Sequence, residues 1–265
     1  MIKHFISMFN FCHHKKKIDD NKLIDIGLNL TSDKFDKDMD EVINNALKAG
    51  VEGFILTGTS KKSSEKASQI SLNNPKIFCS TSGIHPHDAR NWNQAKRSIE
   101  DIIKLETTVA VGECGLDYDG MFSDRESQLH AFEAQLSLAL KYNKPVFLHI
   151  RGKTGKSNDL ILKDFEDIFK PYFEKGLKGI VHCFTGNLDM LNLLLSYNLF
   201  IGITGWVCDD KRGAELQDII KYIPNDKIMI ETDAPYLTPK NISKSEYNIY
   251  KRRNEPCLLP YVLKK

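Results

Sequence analysis

The sequence predicts an α/β protein built as a single (β/α)8 TIM barrel, and three observations support this fold class. Eight short apolar runs alternate with amphipathic stretches of helical spacing, a pattern that implies parallel strands joined by right-handed crossovers. The length of 265 residues suits one barrel, which commonly needs about 250 residues. Polar residues end many different strands, as the carboxyl face of a barrel requires, whereas an open doubly wound sheet would concentrate binding at one switch point.

The predicted elements follow one another from residue 23 onward. The strands are short apolar runs at 23–27, 51–57, 76–82, 109–113, 145–149, 179–182, 199–203 and 227–231. The helices carry apolar residues at intervals of three and four, over 36–49, 60–72, 95–105, 128–142, 159–173, 188–197 and 214–222. The first of these helices has a clear end, because Gly50 follows its apolar stripe.

The domain prediction separates a basic, flexible tail at residues 1–22 from a barrel domain at residues 23–265. The run Cys12-His13-His14-Lys15-Lys16-Lys17 invites a metal or nucleic-acid interpretation. Adjacent ligands rarely enclose one metal ion and the charge run is short, so a solvated tail is the preferred interpretation.

Composition limits the function classes. A formal net charge of +2 is too small to indicate nucleic-acid binding by itself, so any phosphate site must depend on local residues. The six cysteines form no CxxC pair, which favours a reducing compartment and predicts a cytoplasmic protein, or a nuclear one in a eukaryote. No apolar run approaches about 18 residues, and the first residues make a poor secretory signal, so no membrane association is expected.

Four residues of types that bind metal ions lie at the ends of predicted strands four, five, six and eight. They are Glu113, His149, His182 and Asp233. The spacings 149 − 113 = 36 and 182 − 149 = 33 each match one βα unit, and 233 − 182 = 51 fits two shorter units. In a closed barrel these side chains converge over the mouth. Any one of them could be structural, but four in register predict a divalent-cation site for Mg²⁺, Mn²⁺ or Zn²⁺.

Further polar and aromatic residues follow the same strand ends. His85 and His87 follow strand three and could contact phosphate or carry protons; alternatively, Pro86 and Asp88 simply fix a turn there. Arg151 could bind a phosphate through two hydrogen bonds, or pair with Glu113 or Asp117. Trp206 follows strand seven and could stack on a base, or cap the barrel.

These motifs resemble those of the TatD family of metal-dependent deoxyribonucleases, within the amidohydrolase-like barrels. The resemblance runs from Ile24 to about Pro260 and includes Gly83-Ile84-His85-Pro86-His87, Gly112-Glu113-Cys114-Gly115-Leu116-Asp117-Tyr118, His182-Cys183-Phe184-Thr185-Gly186, Glu231-Thr232-Asp233-Ala234-Pro235 and Arg253-Asn254-Glu255-Pro256. It implies a divalent-metal-dependent nuclease that removes nucleotides from 3′ ends of single-stranded DNA, or of RNA, with a role in DNA repair or degradation. It also places Glu113, His149, His182 and Asp233 at the metal-ligand positions.

Two departures from the family pattern bear on the site. Many relatives carry two histidines on strand one that complete a second metal position, where this chain has Gly27 and Asn29. One or two ions are therefore both open, with Mg²⁺ preferred. Relatives also continue with a closing helix, whereas this chain stops at Lys265. The final helix is either missing or replaced by the segment after Pro256.

Three functions compete at this point. The leading one is phosphodiester hydrolysis by a monomer on single-stranded nucleic acid, with Asp233 as general base, Glu113 essential, and His85, His87, Arg151 and Trp206 binding substrate. An amide or lactone hydrolase of the same superfamily is the second, although its binuclear members often use a modified lysine where this chain has Glu113. The third is an inactive, truncated binder.

Overall fold

Residues 22–153 and 157–265 are described by a computed structural model. The tail predicted for residues 1–22 lies outside the described residues except for Lys22. Eight parallel strands form one sheet in sequential order from β1 to β8. They are β1 Leu23–Leu28, β2 Val51–Leu56, β3 Phe78–Ser82, β4 Thr108–Asp117, β5 Val146–Arg151, β6 Gly179–Val181, β7 Phe200–Ile203 and β8 Ile228–Ile230. The predicted (β/α)8 barrel is confirmed.

Helices alternate with the strands as the periodicity predicts. They are α1 Met39–Lys48, α2 Lys61–Asn73, α3 Trp92–Ile103, α4 Arg125–Lys141, α5 Asp159–Phe173, α6 Leu188–Ser196, α7 Ala214–Ile219, α8 Lys244–Tyr250 and α9 Leu259–Lys264. Side-chain caps fix several starts, since Ser60 accepts from the Ser63 amide before α2 and Asp124 accepts from the Ser127 amide before α4. None of the helices in the described ranges is long and apolar enough to cross a membrane.

Strand β4 is longer than predicted, and the end placed at Glu113 is wrong. Gly112 and Gly115 both have φ of 140° and stay inside the strand. A Cβ on either would lie within about 2 Å of a β5 carbonyl oxygen, at 2.1 Å and 2.0 Å respectively. The glycines therefore allow close approach and an irregular register, and Glu113 lies within the strand while Asp117 ends it.

Two apolar clusters stabilise the barrel. The larger one packs helices against the outside of the sheet and contains Phe35, Phe132 and Phe165, all fully buried. The smaller one contains strand residues only. Its buried members, among them Ile55 and Phe147, come from seven strands in all, so it fills the interior of the barrel. Both clusters lie beneath the strand ends, which gives the side chains at the mouth a rigid base.

The barrel closes between β1 and β8 through a buried carboxylate. Asp25 accepts hydrogen bonds from the Thr232 hydroxyl, from the Thr232 amide at 2.9 Å and from the Gly27 amide at 3.3 Å. Beyond it, the Asp233 amide donates to the Gly27 carbonyl at 2.9 Å. Burial raises the pKa of Asp25 to about 7, although its hydrogen bonds with Thr232 oppose that rise.

Replacing Asp25 by Ala is expected to lower the free energy of unfolding by about 3 kcal/mol, because two amides and one hydroxyl lose a buried acceptor. Thr232→Val removes only the hydroxyl donor and should cost about 1 kcal/mol. Urea unfolding of the two variants and the unmodified protein measures both values. Equal, small losses in the two variants would show that the Asp25 carboxylate does not hold the closure.

The final segment packs against the barrel. Helix α9 is short, but its Leu259 and Val262 are buried in the main core. Just before it, Asn254 donates to the carbonyls of Thr232 at 3.0 Å and Tyr236 at 2.7 Å, and so holds the loop after β8. The segment after Pro256 is therefore packed into the barrel domain.

Candidate metal centre

A cleft opens at the carboxyl ends of the strands, and it is lined by residues of β4 and β5 and of the loops after β1, β2, β3, β5, β6, β7 and β8. All eight predicted site residues are on its walls: His85, His87, Glu113, His149, Arg151, His182, Trp206 and Asp233. The barrel thus brings together residues separated by up to 148 positions in the chain, from His85 to Asp233. This gathering is what the strand-end pattern predicts.

Glu113 lies at the centre of the cleft floor. Its Oε1 atom is 3.0 Å from His149 Nδ1, 3.0 Å from His182 Nε2 and 3.3 Å from His85 Nε2. Burial opposes ionisation of the carboxyl, but the neighbouring rings of His182, His85 and His149 outweigh it and hold the pKa of Glu113 well below its usual range. Glu113 is therefore a buried carboxylate ringed by three imidazoles.

Two of these imidazoles have a second carboxylate partner on their other nitrogen. His149 Nε2 lies 3.0 Å from Asp117 Oδ2, and His182 Nδ1 lies 3.2 Å from Glu231 Oε2. Although burial disfavours their charge, the flanking carboxylates raise the pKa of His149 and raise that of His182 well above the ordinary value. Each ring therefore lies between two carboxylates, which favour its protonated form.

His85 and His87 extend this network, His85 through Glu113 and His87 through Asp117. Burial lowers the pKa of His85, which the charge of Glu113 only partly offsets, so this ring favours the neutral form. His87 Nε2 lies 2.9 Å from Asp117 Oδ2. Pro86 begins a 3-10 helix over Pro86–Asn91, and His85 Nδ1 accepts from the His87 amide. The predicted turn is therefore present, and both rings line the cleft.

Asp233 follows β8 with φ of 53°, in the left-handed region. Its Oδ1 accepts a hydrogen bond from Asn29 Nδ2 at 2.8 Å. Burial raises the pKa of Asp233 to about 7, with Glu113 and Glu231 adding to the rise and His182 and Asn29 opposing it. Near neutral pH this carboxyl can therefore both hold and release a proton.

Asp117, Glu231 and Asn29 belong to the site, yet strand-end reasoning did not select them. Asp117 lies four residues after Glu113 on the same strand, a spacing that places both side chains on one face. Glu231 also accepts from the Cys183 amide. Its carboxylate fills the space in front of Gly27, where a Cβ would lie 2.1 Å from Oε2. The even spacing between Glu113 and Asp117 was the available signal for Asp117.

Arg151 and Trp206 lie on the walls of the cleft and have partners of their own. Arg151 pairs with Asp119 at 2.7 Å, rather than with Glu113 or Asp117 as considered from sequence, and its side chain stays 48% exposed. The Arg212 guanidinium covers one face of Trp206, 4.7 Å from the ring centre. Arg212 is held in turn by Asp209 at 2.6 Å. Arg212 is a further cation of this wall.

The donor set fits a divalent cation. The atoms of His85, Glu113 and His149 that could bind an ion all lie within 4.8 Å of one another, and a second such group joins His85, His87 and Asp117. Carboxylate oxygens suit Mg²⁺ and Mn²⁺, and imidazole nitrogens suit Mn²⁺ and Zn²⁺. A cation would also relieve the repulsion that buried carboxylates exert on one another.

Comparisons with known proteins agree with this geometry. A model of the family described as TatD related DNase matches residues 24–265. A relative from Rahnella sp. (strain Y9602), named 3′-5′ ssDNA/RNA exonuclease TatD, is 44% identical over 243 residues, which are 91% of this chain and 88% of the relative. The crystal structure of a TatD family hydrolase from Entamoeba histolytica is 29% identical with a TM-score of 0.74, covering 91% of this chain and 88% of that one. A TatD homologue from Escherichia coli K12 shares the fold, with a TM-score of 0.78 at 23% identity over 92% of this chain and 88% of that one.

Proposed function

Because the chain belongs to the TatD-related DNase family, we propose that it is a divalent-cation-dependent nuclease that hydrolyses phosphodiester bonds at 3′ ends of single-stranded DNA, and of single-stranded RNA. The observation that carries this proposal is the buried Glu113 carboxylate within 3.3 Å of three imidazole nitrogens. Few arrangements other than a cation site justify so many titratable groups in one buried cluster.

Glu113, His149, His182 and Asp233 are the proposed ligands, and His85 is close enough to join them. His149 would bind through Nδ1 while its Nε2–H donates to Asp117, and His182 through Nε2 while its Nδ1–H donates to Glu231. Such outer carboxylates commonly orient metal-binding histidines. A ring nitrogen must be unprotonated to bind a metal, and the flanking carboxylates favour the protonated rings, so binding should release protons. Mg²⁺ is the proposed ion, with Mn²⁺ or Zn²⁺ as alternatives.

The bound cation would polarise a phosphate oxygen and lower the pKa of its water. The remaining tasks fall to protein groups. Asp233 accepts the proton of the attacking water, and Asn29 holds the carboxylate in place. Arg151 neutralises a phosphate at the cleft wall, and His87 binds substrate from the same wall. Trp206 stacks on a base through the face that Arg212 does not cover.

The amide or lactone hydrolase alternative finds less support in these residues. Its lysine at the end of strand four is replaced by Glu113. Lys144, which precedes β5, donates to the carbonyls of Leu105 and Thr108 at the opposite end of the barrel. A monomeric state, a cytoplasmic or nuclear location and a role in DNA repair or degradation belong to the proposal as well.

The direct test uses single-stranded DNA labelled separately at its 5′ and 3′ ends, incubated with Mg²⁺, Mn²⁺ or Zn²⁺, or with EDTA. The 3′ label should be released first as a mononucleotide, and the 5′-labelled strand should shorten stepwise. The same sequence in duplex form, and as RNA, gives the strand and sugar preferences. Turnover of small cyclic amides without any release of nucleotide would favour the alternative hydrolase.

Replacing Arg151 by Ala is expected to raise KM for single-stranded DNA about tenfold, because a charge-assisted contact of about 1.5–3 kcal/mol is lost. Arg151→Lys should recover part of this loss, since lysine keeps the charge but cannot form the bidentate contact. Steady-state kinetics at two salt concentrations measure the KM of each variant. The salt dependence of KM should weaken in the Ala variant. An unchanged KM would remove Arg151 from the phosphate path.

A further inference from the structure

An exposed aromatic ring lies at the mouth of the cleft, outside the residues assigned above. Phe122 belongs to the loop after β4 and is 61% exposed, and its neighbour Met121 is 44% exposed. Isolated apolar side chains on a surface need no explanation. Phe122 differs because its ring lies against a cleft residue, 4.4 Å from the His87 ring at an angle of 52°.

The backbone beneath this ring is shaped to hold it. A Cβ on Gly120 would come within 2.5 Å of the Phe122 ring and 3.4 Å of His87 Nε2, so the ring can fold back only over a glycine. Met121, between them, has φ of 47°, a conformation that costs a non-glycine residue on the order of 1 kcal/mol. Strain of this kind next to an active site suggests that the loop geometry serves a function.

Hydrogen bonds fix the loop on both sides of Phe122. On one side, Asp117 Oδ1 accepts from the amides of Asp119 at 3.0 Å and Gly120 at 3.2 Å. On the other, the Ser123 hydroxyl donates to the His87 carbonyl at 2.8 Å, and Gln128 Nε2 donates to the Ser123 carbonyl at 2.9 Å. Phe122 is thus an ordered platform, with one side packed and the other turned to solvent.

A cation is paired with the same loop. Arg151 pairs with Asp119, three residues before Phe122, and about half of the Arg151 side chain is open, at 48% exposure. A flat aromatic face beside a guanidinium matches a nucleotide, which carries a base beside a phosphate. An apolar peptide would use the ring but not the cation, so the charge favours nucleic acid.

We infer that Phe122, backed by His87, forms a stacking subsite for one base of the single-stranded substrate, next to the nucleotide being cleaved. This inference rests on the proposed nuclease function and adds a subsite to it. Stacking tolerates every base, so the subsite would give preference for unpaired strands rather than for sequence. A base in a duplex has both faces occupied by its neighbours and could not use the ring.

The test combines Phe122 variants with substrates that lack one base. A tetrahydrofuran abasic residue is moved through a short single strand, one position at a time, and KM and kcat are measured at saturating Mg²⁺. For the unmodified protein, one position near the 3′ end should raise KM about tenfold. Phe122→Ala should raise KM about tenfold on the intact strand, with kcat changed less than about twofold. In this variant, the abasic residue at that position should cause no further rise in KM.

Matched variants separate stacking from other roles. Phe122→Trp should keep the low KM, whereas Phe122→Leu, which keeps apolar bulk without a π face, should behave nearly as Ala does. Tyr222→Ala removes an aromatic ring of 54% exposure that precedes β8 at the opposite end of the barrel, and it should change neither constant.

The stacking subsite would be overturned by an abasic scan without position dependence, or by losses that add when Phe122→Ala meets the abasic strand. Full recovery of KM by Phe122→Leu would overturn it too. A fall in kcat with KM unchanged would mean that Phe122 acts through His87 instead. Absence of nuclease activity in the unmodified protein would instead reject the proposed function itself. The two failures are therefore distinguishable.

Discussion

Replacing Glu113 by Gln is expected to abolish metal-dependent hydrolysis, with a loss of at least about 100-fold in kcat/KM. Loss of a group that only supports a ligand already costs about 10- to 100-fold in metal affinity or activity. Glu113 is placed more centrally, because its Oε1 faces three imidazoles at 3.0 to 3.3 Å. The amide keeps the size of the side chain but removes its charge and places an NH₂ group among ring N–H donors.

The Glu113→Gln measurement needs a readout besides turnover. The melting temperature of the unmodified protein should rise with Mg²⁺ or Mn²⁺, because a ligand that binds only the folded state stabilises it. That rise should vanish in Glu113→Gln. Glu100→Gln is the matched control, since Glu100 lies on α3, is bonded to Lys141 and Tyr142, and is remote from the cleft. Full activity with an undiminished metal-induced rise in Glu113→Gln would refute the assignment. No rise in the unmodified protein would favour an inactive binder.

The gathering of the predicted ligands could be foreseen because it depends only on topology. Residues that end parallel strands must meet at one face of a closed barrel, whatever the detailed register. His149 and His182 illustrate this, since β5 continues to Arg151 and β6 ends at Val181, yet both rings still face Glu113. An error of two residues in a strand boundary leaves such a convergence intact.

The partners of those ligands could not be foreseen, because they depend on register and close contacts. The register of β4 against β5 shifts between Gly112 and Cys114, and this irregularity decides that Asp117 reaches the far side of His149. Likewise, Glu231 fits beside His182 only because position 27 has no side chain. Both facts concern distances of a few ångströms between strands, which periodicity and spacing do not encode.

Replacing Asp233 by Asn is expected to lower kcat by about 100- to 10,000-fold at saturating metal, the range typical of losing a general base. The sign of the pH dependence follows from the role, since the carboxylate must be unprotonated to accept a proton. Burial raises the pKa of Asp233 to about 7 without a cation, and a bound cation favours the charged form and lowers that value. The kcat of the unmodified protein should therefore rise with pH along a limb centred below pH 7, and the Asn variant should lack that limb.

Asn29 provides the control that separates Asp233 from the histidines, at which protons compete with the metal. Asn29 donates to Asp233 Oδ1 at 2.8 Å, so Asn29→Ala removes a bond that favours the charged form and should shift the limb to higher pH. Asn29→Asp should shift it further, because it places a like charge against the carboxylate. A limb that stays in place in both variants would assign the titration to a histidine and leave Asp233 as a metal ligand alone.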